Sequence, residues 1–269
     1  MFAGFDGIVH TCTASKQKCN FQQSKVSNER LQKIGELIAV ALVLFDLDNT
    51  LIAGDSDLGW GEFLVEQKLV DTETYQQRNE EFYQAYCRGE LDIQAYIKFA
   101  AEPLSKFSAT KLSTLREKFI AEKIQALRLP KAELLIEHHK EKGDIIAIVT
   151  ATNRFITQPI ASLLKIEHLL ATELEIIDGH YTGNLEGEPC YQAGKIIHLE
   201  RWLAKLSETE DPQDPIAEMD RYFYSDSIND LPLLEKVNFP FAVDPDEKLA
   251  EVAKERQWPI ISLRDASPS

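Results

Sequence analysis

Apolar residues fall into short runs along the chain, and several runs end in polar residues suited to chemistry. The first is Ala41-Leu-Val-Leu-Phe45, followed at once by Asp46-Leu-Asp48-Asn-Thr50. A run this short with a β-branched and an aromatic residue predicts a strand buried on both faces. The two acids then belong just past its C-terminal end. About eighty residues of helical periodicity follow without a strand. Helices are predicted over Leu58 to Lys68, capped by Ser56 or Asp57, and from Asp71 to Arg88 with Gly89 as the stop. Two more run from Leu91 to Ala101, ended by Pro103, and from Ser108 through Ile124, ahead of Pro130.

From Lys131 the pattern alternates. A helix to Lys142 stops at Gly143, and Asp144 to Thr150 is a second buried strand. Arg154 to Leu164 is a helix with a kink expected at Pro159. Leu169 to Ile177 reads as one strand, and Asp178-Gly179 as a tight turn into Tyr181 to Leu185. Gly194-Lys195 precedes a helix from Ile196 to Leu206, and an acidic solvated loop spans Ser207 to Pro215. The strands Arg221 to Tyr224 and Phe239 to Val243, the helix Asp246 to Arg256 and a short element from Trp258 to Leu263 complete the chain. Strands alternating with helices imply an α/β fold, a doubly wound parallel sheet with helices on both faces. The predicted division is a core of 41–55 and 131–269, a helical cap of 56–130, and an N-terminal extension of 1–40. The extension lacks a convincing period and reads as poorly ordered or as translated sequence upstream of the true start.

A net charge of -15 over 269 residues argues against a nucleic-acid or anionic-membrane partner. It leaves a small anion admissible, because a local pocket and a bound metal dominate there. Cys12, Cys19, Cys87 and Cys190 have no metal-ligand spacing and read as reduced thiols. The longest apolar run, Leu37 to Phe45, is too short for a bilayer, and no signal peptide is evident, so a cytoplasmic protein is expected. No feature specifies an oligomeric state.

Three predicted strands end in Asp46/Asp48, Thr150 and Asp226, and in a parallel sheet such ends gather at one edge. Phosphoryl transfer suits this set. Asp46 would attack phosphorus, and Asp48 would protonate the leaving oxygen and later deprotonate water. So many acids require cations: Mg²⁺ held by Asp46, Asp226 and waters, and Lys195 as the second charge. The Thr150 hydroxyl and nearby backbone amides, Ala151 among them, would orient the phosphoryl oxygens, with Asn229 a further candidate for binding. His138, His139 and His168 read as surface or loop histidines, and Cys190 as a neighbour of the pocket.

The order of these motifs resembles the haloacid dehalogenase-like phosphohydrolase superfamily: Asp46-Leu-Asp48-Asn-Thr50, Ile148-Val149-Thr150, Gly194-Lys195 and Ser225-Asp226-Ser-Ile-Asn229-Asp230. The likeness covers residue 41 to the C-terminus and implies a Rossmann-like core with a helical type-one cap. It makes Asp46 the nucleophile and Asp48 the acid/base, with the Asp48 carbonyl, Asp46 and Asp226 on Mg²⁺ and Asp230 supporting the metal. Ser225 stands where glycine is common. Leu51-Ile-Ala-Gly-Asp55-Ser-Asp57 with Trp60-Gly-Glu-Phe63, Thr150-Ala-Thr-Asn153-Arg154-Phe and Gly187-Glu-Pro-Cys190 resemble the phosphoserine phosphatase branch, in a bacterial subgroup that includes histidinol-phosphatases. That likeness implies a small phosphorylated metabolite, histidinol phosphate or phosphoserine, and a place in amino-acid and histidine biosynthesis. It assigns the substrate amine to Asp55, where phosphoserine phosphatases carry glutamate, and offers Trp60, Phe63, Tyr83 and Tyr86 as ring neighbours. A phosphotransferase or a non-catalytic phosphate-binding protein are the readings from other classes. A hinged cap, with linkers near Gly54–Asp57 and Leu129–Pro130, is expected to open and close.

Overall fold

The computed structural model describes residues 40–208 and 216–264. The extension expected at the N-terminus, with Cys12 and Cys19, and most of the acidic loop before Pro215 lie outside the described residues. Among those described, strand β1 (Leu42–Phe45) is followed by four helices, α1 (Ser56–Glu66), α2 (Thr72–Arg88), α3 (Ile93–Ser105) and α4 (Ala109–Glu122). The chain then runs through α5 (Pro130–Glu141), β2 (Ile145–Asn153), α6 (Arg154–Leu163), β3 (His168–Thr172), β4 (Leu174–Ile177) and β5 (His180–Leu185). It ends with α7 (Gly194–Ser207), β6 (Arg221–Ser225), α8 (Leu231–Leu234), β7 (Phe239–Val243), α9 (Glu247–Glu255) and β8 (Ile260–Ile261).

Six strands form one parallel sheet in the order β3-β2-β1-β6-β7-β8. The chain leaves β1 toward β2 on one side and later returns to β6 on the other. This reversal opens a crevice at the carboxyl end of β1, where open α/β sheets bind ligands. Successive residues of β1 serve opposite faces. Val43 and Phe45 pack with Ile136 of α5, Ile160 of α6 and Trp60, Phe63 and Phe119 of the helical insert. Leu42 and Leu44 pack with Leu199 of α7, Leu233 of α8 and Leu249 of α9. Every residue of β1 is therefore buried, which explains a run with no polar break. No described helix is long and apolar enough to cross a membrane.

Local chemistry sets most boundaries. Gly89 ends α2 in the left-handed region at φ 73, and its amide reaches the Ala85 and Tyr86 carbonyls. Asp178 and Gly179 (φ 51 and 78) join β4 to β5 in the tight turn expected of that pair. Several expectations need correction. Asp55, rather than Ser56 or Asp57, caps α1. Helix α3 runs past Pro103, because Pro103 and Leu104 are buried and proline's fixed φ is compatible with the last turn. The segment expected as one strand from Leu169 to Ile177 divides: β3 joins the sheet, whereas β4 pairs antiparallel with β5 in a separate hairpin. Strand β2 continues three residues past Thr150, with a register irregularity against β3 between Val149 and Asn153.

Candidate active site

The exit of β1 is shaped by a tight reversal. The Asp46 amide donates to the Tyr224 carbonyl at 2.9 Å, extending the ladder one step beyond the strand. The Leu47 carbonyl then accepts from the amides of Thr50, Leu51 and Ile52, which folds the chain back under itself, with Asn49 at φ 59. Asp46 and Asp48 are left projecting from a fixed backbone. The Thr50 hydroxyl donates to Asp226 Oδ1 at 3.1 Å and accepts from the Asp226 amide at the same distance, clasping the ends of β1 and β6 together.

Lys195 is the cationic centre. It is almost fully buried, and Nζ donates to Asp46 Oδ1 and to Asp230 Oδ2, each at 2.7 Å. Its place in the first turn of α7 depends on Gly194, where an added Cβ would lie 2.0 Å from the Pro189 carbonyl oxygen. Ser225, expected only as a tolerated substitute for glycine, donates to Asp230 Oδ2 at 2.7 Å and so fixes that acid under the lysine. Asp48 accepts from the Ser56 amide at 2.6 Å and from the Thr152 hydroxyl at 2.8 Å. The Thr150 hydroxyl accepts from the Thr152 amide at 3.2 Å. Ala151 is held through its carbonyl, which accepts from the Thr172 hydroxyl at 2.7 Å. Asn229 accepts from Tyr191 and Gln192 and donates to the Tyr86 carbonyl of α2 at 3.4 Å, joining the sheet edge to the insert.

Asp46, Asp48, Asp55, Thr150, Ala151, Lys195, Asn229 and Asp230 all line one cavity of about 700 Å³, its open mouth included. Asp226 stands beside it, tied to Thr50. The far wall comes from the insert: Asp57 and Leu58 of α1, Asn79, Phe82, Tyr83 and Tyr86 of α2, and Tyr96 of α3. The four aromatics singled out from the sequence thus part company. Tyr83 and Tyr86 face the cavity, whereas Trp60 and Phe63 are stacked in the core with centroids 5.5 Å apart.

The charges of this cluster do not balance. Burial pushes Asp46 up to about 7, Lys195 pulling against it, and Asp230 and Asp48 adding to the rise. Burial with the neighbouring Asp55 carries Asp48 up to about 6, against the opposing bond from Ser56. Asp226 is pushed well above the usual carboxylate range by burial, with Asp46 and Asp230 reinforcing it. For Lys195 burial favours the neutral amine, but Asp230 and Asp46 outweigh it and hold the ammonium. One lysine does not neutralise this many buried acids, and a divalent cation beside Asp46 and Asp226 would draw both carboxyls back down. The described residues contain no group of three or more His, Cys, Asp or Glu side chains arranged as a metal cage. A pair of carboxylates is instead the usual protein share for Mg²⁺, which keeps waters and takes substrate phosphate. The donor set fits that ion.

Three other expectations change. His139 is buried, with Nδ1 2.7 Å from Asp144 Oδ2 and Nε2 3.1 Å from the Tyr224 hydroxyl. His168 opens β3 and packs against Trp202. Cys190 is fully buried rather than lining the cavity, and burial pushes its thiol up to about 12. Sequence reasoning missed Thr152, Tyr191, Gln192, Asp57 and Tyr96. Thr152 carried a signal, since period-two spacing places it on the same side of β2 as Thr150. Tyr191 and Tyr96 carried none.

Comparison with known proteins agrees with this geometry. The profile of the haloacid dehalogenase-like hydrolase family matches residues 43–235. The chain belongs to that family. It is 42% identical over 224 residues to a histidinol-phosphatase of Neisseria meningitidis serogroup C (strain 8013), covering 83% of this chain and 99% of that protein. Among solved structures, a protein of unknown function from Bordetella pertussis Tohama I superposes with a TM-score of 0.77 at 37% identity, covering 84% of this chain and 100% of that one. A substrate-bound phosphoserine phosphatase superposes with a TM-score of 0.58 at 20% identity, covering 84% and 93%, a likeness of fold. This hydrolase therefore has the core expected of its family, with four helices inserted between β1 and α5.

Proposed function

We propose that this hydrolase is a cytoplasmic, Mg²⁺-dependent phosphomonoesterase that works through an aspartyl-phosphate on Asp46, with histidinol phosphate as its substrate. The observation that carries the reading is Lys195 bonded to both Asp46 and Asp230 at the floor of a cavity that Asp48 shares and the helical insert walls off. Lys195 orients the Asp46 carboxylate and supplies positive charge where the phosphoryl group arrives. The Thr150 hydroxyl already accepts from the Thr152 amide, so its proton is free to meet an equatorial phosphoryl oxygen. The Asp46 carboxylate attacks phosphorus and the P–O bond to the alcohol breaks. Asp48, oriented by Ser56 and Thr152 and raised by burial, gives its proton to the departing alkoxide. As a base it then takes a proton from water attacking the acyl phosphate, which frees inorganic phosphate. Asp46, Asp226 and the Asp48 carbonyl would hold Mg²⁺, which supplies charge neutralisation for the phosphoryl oxygens.

The relative that carries the name histidinol-phosphatase, together with the aromatic wall of Phe82, Tyr83, Tyr86 and Tyr96, supports an amino-alcohol with a flat ring over the smaller phosphoserine. A phosphate-release screen tests the reading, with histidinol phosphate and phosphoserine side by side in Mg²⁺. The expected result is preferential turnover of histidinol phosphate, lost on chelation and in Asp46→Asn. Retained turnover in Asp46→Asn refutes the covalent route, and preferential turnover of phosphoserine refutes the substrate.

A further inference from the structure

Asp57 holds a buried carboxylate oxygen that no group of the described chain satisfies. The residue is 9% exposed, its Oδ2 accepts from the Tyr96 hydroxyl at 2.7 Å, and its Oδ1 has no hydrogen-bond partner. Such an oxygen is costly to leave unmet, and buried polar atoms of this kind are rare in folded chains. Helix stabilisation alone does not account for it. An acid in a first turn interacts with the helix dipole from the surface as well, and the α1 amides are already capped by Asp55, whose Oδ1 accepts from Asp57 and Leu58 at 2.9 Å each. Tyr96 reaches from α3 to hold Asp57 in one orientation, and both residues line the cavity that contains Asp46 and Lys195.

The ligand that fits is set by charge. Among the described residues that line the cavity, Lys195 is the only basic one, and it is already bonded to Asp46 and Asp230. No other described residue of the wall is basic, and Phe82, Tyr83 and Tyr86 line the same wall, aromatic rings of the kind that stabilise a cation or a flat ring. We propose that Asp57 Oδ1 accepts a hydrogen bond from a protonated nitrogen of the leaving group, making Asp57 the residue that selects cationic phosphate monoesters. The proposal rests on the phosphatase reading and adds to it the group that reads the leaving alcohol. Tyr96 is then a positioning residue, which fixes the Asp57 carboxylate through Oδ2 and leaves Oδ1 for the ligand.

The test compares Asp57→Asn, Asp57→Ala and Tyr96→Phe with the unmodified full chain. Each is assayed on histidinol phosphate and on p-nitrophenyl phosphate, whose leaving group carries no cation. Each is also titrated calorimetrically with histidinol, the cation without the phosphate. The ratio of kcat/KM for the cationic over the neutral ester is expected to fall about ten- to a hundredfold in both Asp57 variants, chiefly through KM. Histidinol binding should weaken in step, and Tyr96→Phe should fall between. An unchanged ratio with unchanged histidinol affinity overturns the proposal. Failure of the phosphatase reading shows itself separately: the unmodified protein then releases no phosphate from either ester, while the histidinol titration still reads Asp57.

Discussion

Two of the chain's Asp-x-Asp pairs lie nine residues apart, Asp46-Leu-Asp48 and Asp55-Ser-Asp57, and their oxygens meet different partners. The first pair leaves a buried strand. Its oxygens meet Lys195, the Ser56 amide and the Thr152 hydroxyl, groups supplied by α7, α1 and β2. The second pair opens a helix. Asp55 accepts from that helix's own amides, and Asp57 meets a tyrosine through one oxygen and, among the described residues, nothing through the other. The same local spelling yields, on the sheet, a pair held through Asp46 Oδ1 and both Asp48 oxygens and, on the insert, a pair in which one buried Asp57 oxygen is unmet within the described chain. The reason is the partner each oxygen finds across the fold. Groups that react need fixed geometry, whereas groups that recognise a ligand must leave a bond for it to make.

Substitutions in each pair test how far this division holds. Asp46→Asn should give the largest effect, with phosphate release from histidinol phosphate below about one part in 10⁴ of the parent. Activity near the parental level would remove the first pair from the reaction. Asp48→Asn should lower kcat by about 10² to 10⁴ while the affinity for histidinol, measured by calorimetry, stays close to normal. A variant that lost histidinol binding and kept kcat would reverse the roles assigned to the two pairs.

Lys195→Met asks whether the first pair depends on its buried cation. Removing the ammonium leaves Asp46 and Asp230 buried without it, and a loss of about 3–5 kcal/mol in unfolding free energy is expected from urea titration. Asp55→Ala should cost about 1 kcal/mol by the same measurement, the usual effect of removing a helix cap, and Asp55→Asn should restore most of it. If Asp55→Asn lowers preference for the cationic ester as much as Asp57→Asn, the two acids share the substrate nitrogen.

The smallest effect belongs to a buried histidine–aspartate pair away from the cavity. Asp144 accepts from the Ala41 amide at 3.0 Å and lies 2.7 Å from His139, near the start of β1 rather than its exit. Burial lowers the His139 pKa, with the bond to Asp144 opposing. A lowered folded-state value means that the unfolded chain takes up the proton first. The His139 contribution to stability is therefore present above about pH 6.5 and is lost as pH falls through that value toward the folded one. The fall in Tm between about pH 7.5 and about pH 5.5 should be smaller in His139→Gln than in the parent, because acids distant from His139 cancel in the difference.

Much of the core was legible because its signals are local. A strand buried on both faces has to be written as an apolar run, so β1 and the position of Asp46 and Asp48 beyond it follow from the order of residues. The turn at Asp178-Gly179 and the stop at Gly89 were equally readable, since each depends on a backbone conformation that few residues adopt cheaply. The segment from Leu169 to Ile177 was not, because where a strand leaves one sheet for a hairpin depends on which neighbours it pairs with. The histidine at 139 was misplaced for the same reason: helical spacing puts it beside polar residues, while its ring is buried against a tyrosine of β6.

The site divides along the same line. Sequence by itself determined which chemistry was on hand: a pair of acids after a buried strand, a threonine late in the next, a lysine opening a helix and an acid-rich exit from a later strand. Those residue types and their order constrain the reaction because each sits where a parallel sheet brings strand ends together. Only the tertiary structure decided the pairing. Lys195 bonds Asp46 across 149 residues and Asp230 across 35, Thr152 bonds Asp48 across 104, and Tyr96 reaches Asp57 across 39. Hydrogen bonds at such separations are set by how helices pack on the sheet and on one another, and no local pattern encodes which oxygen is left without one.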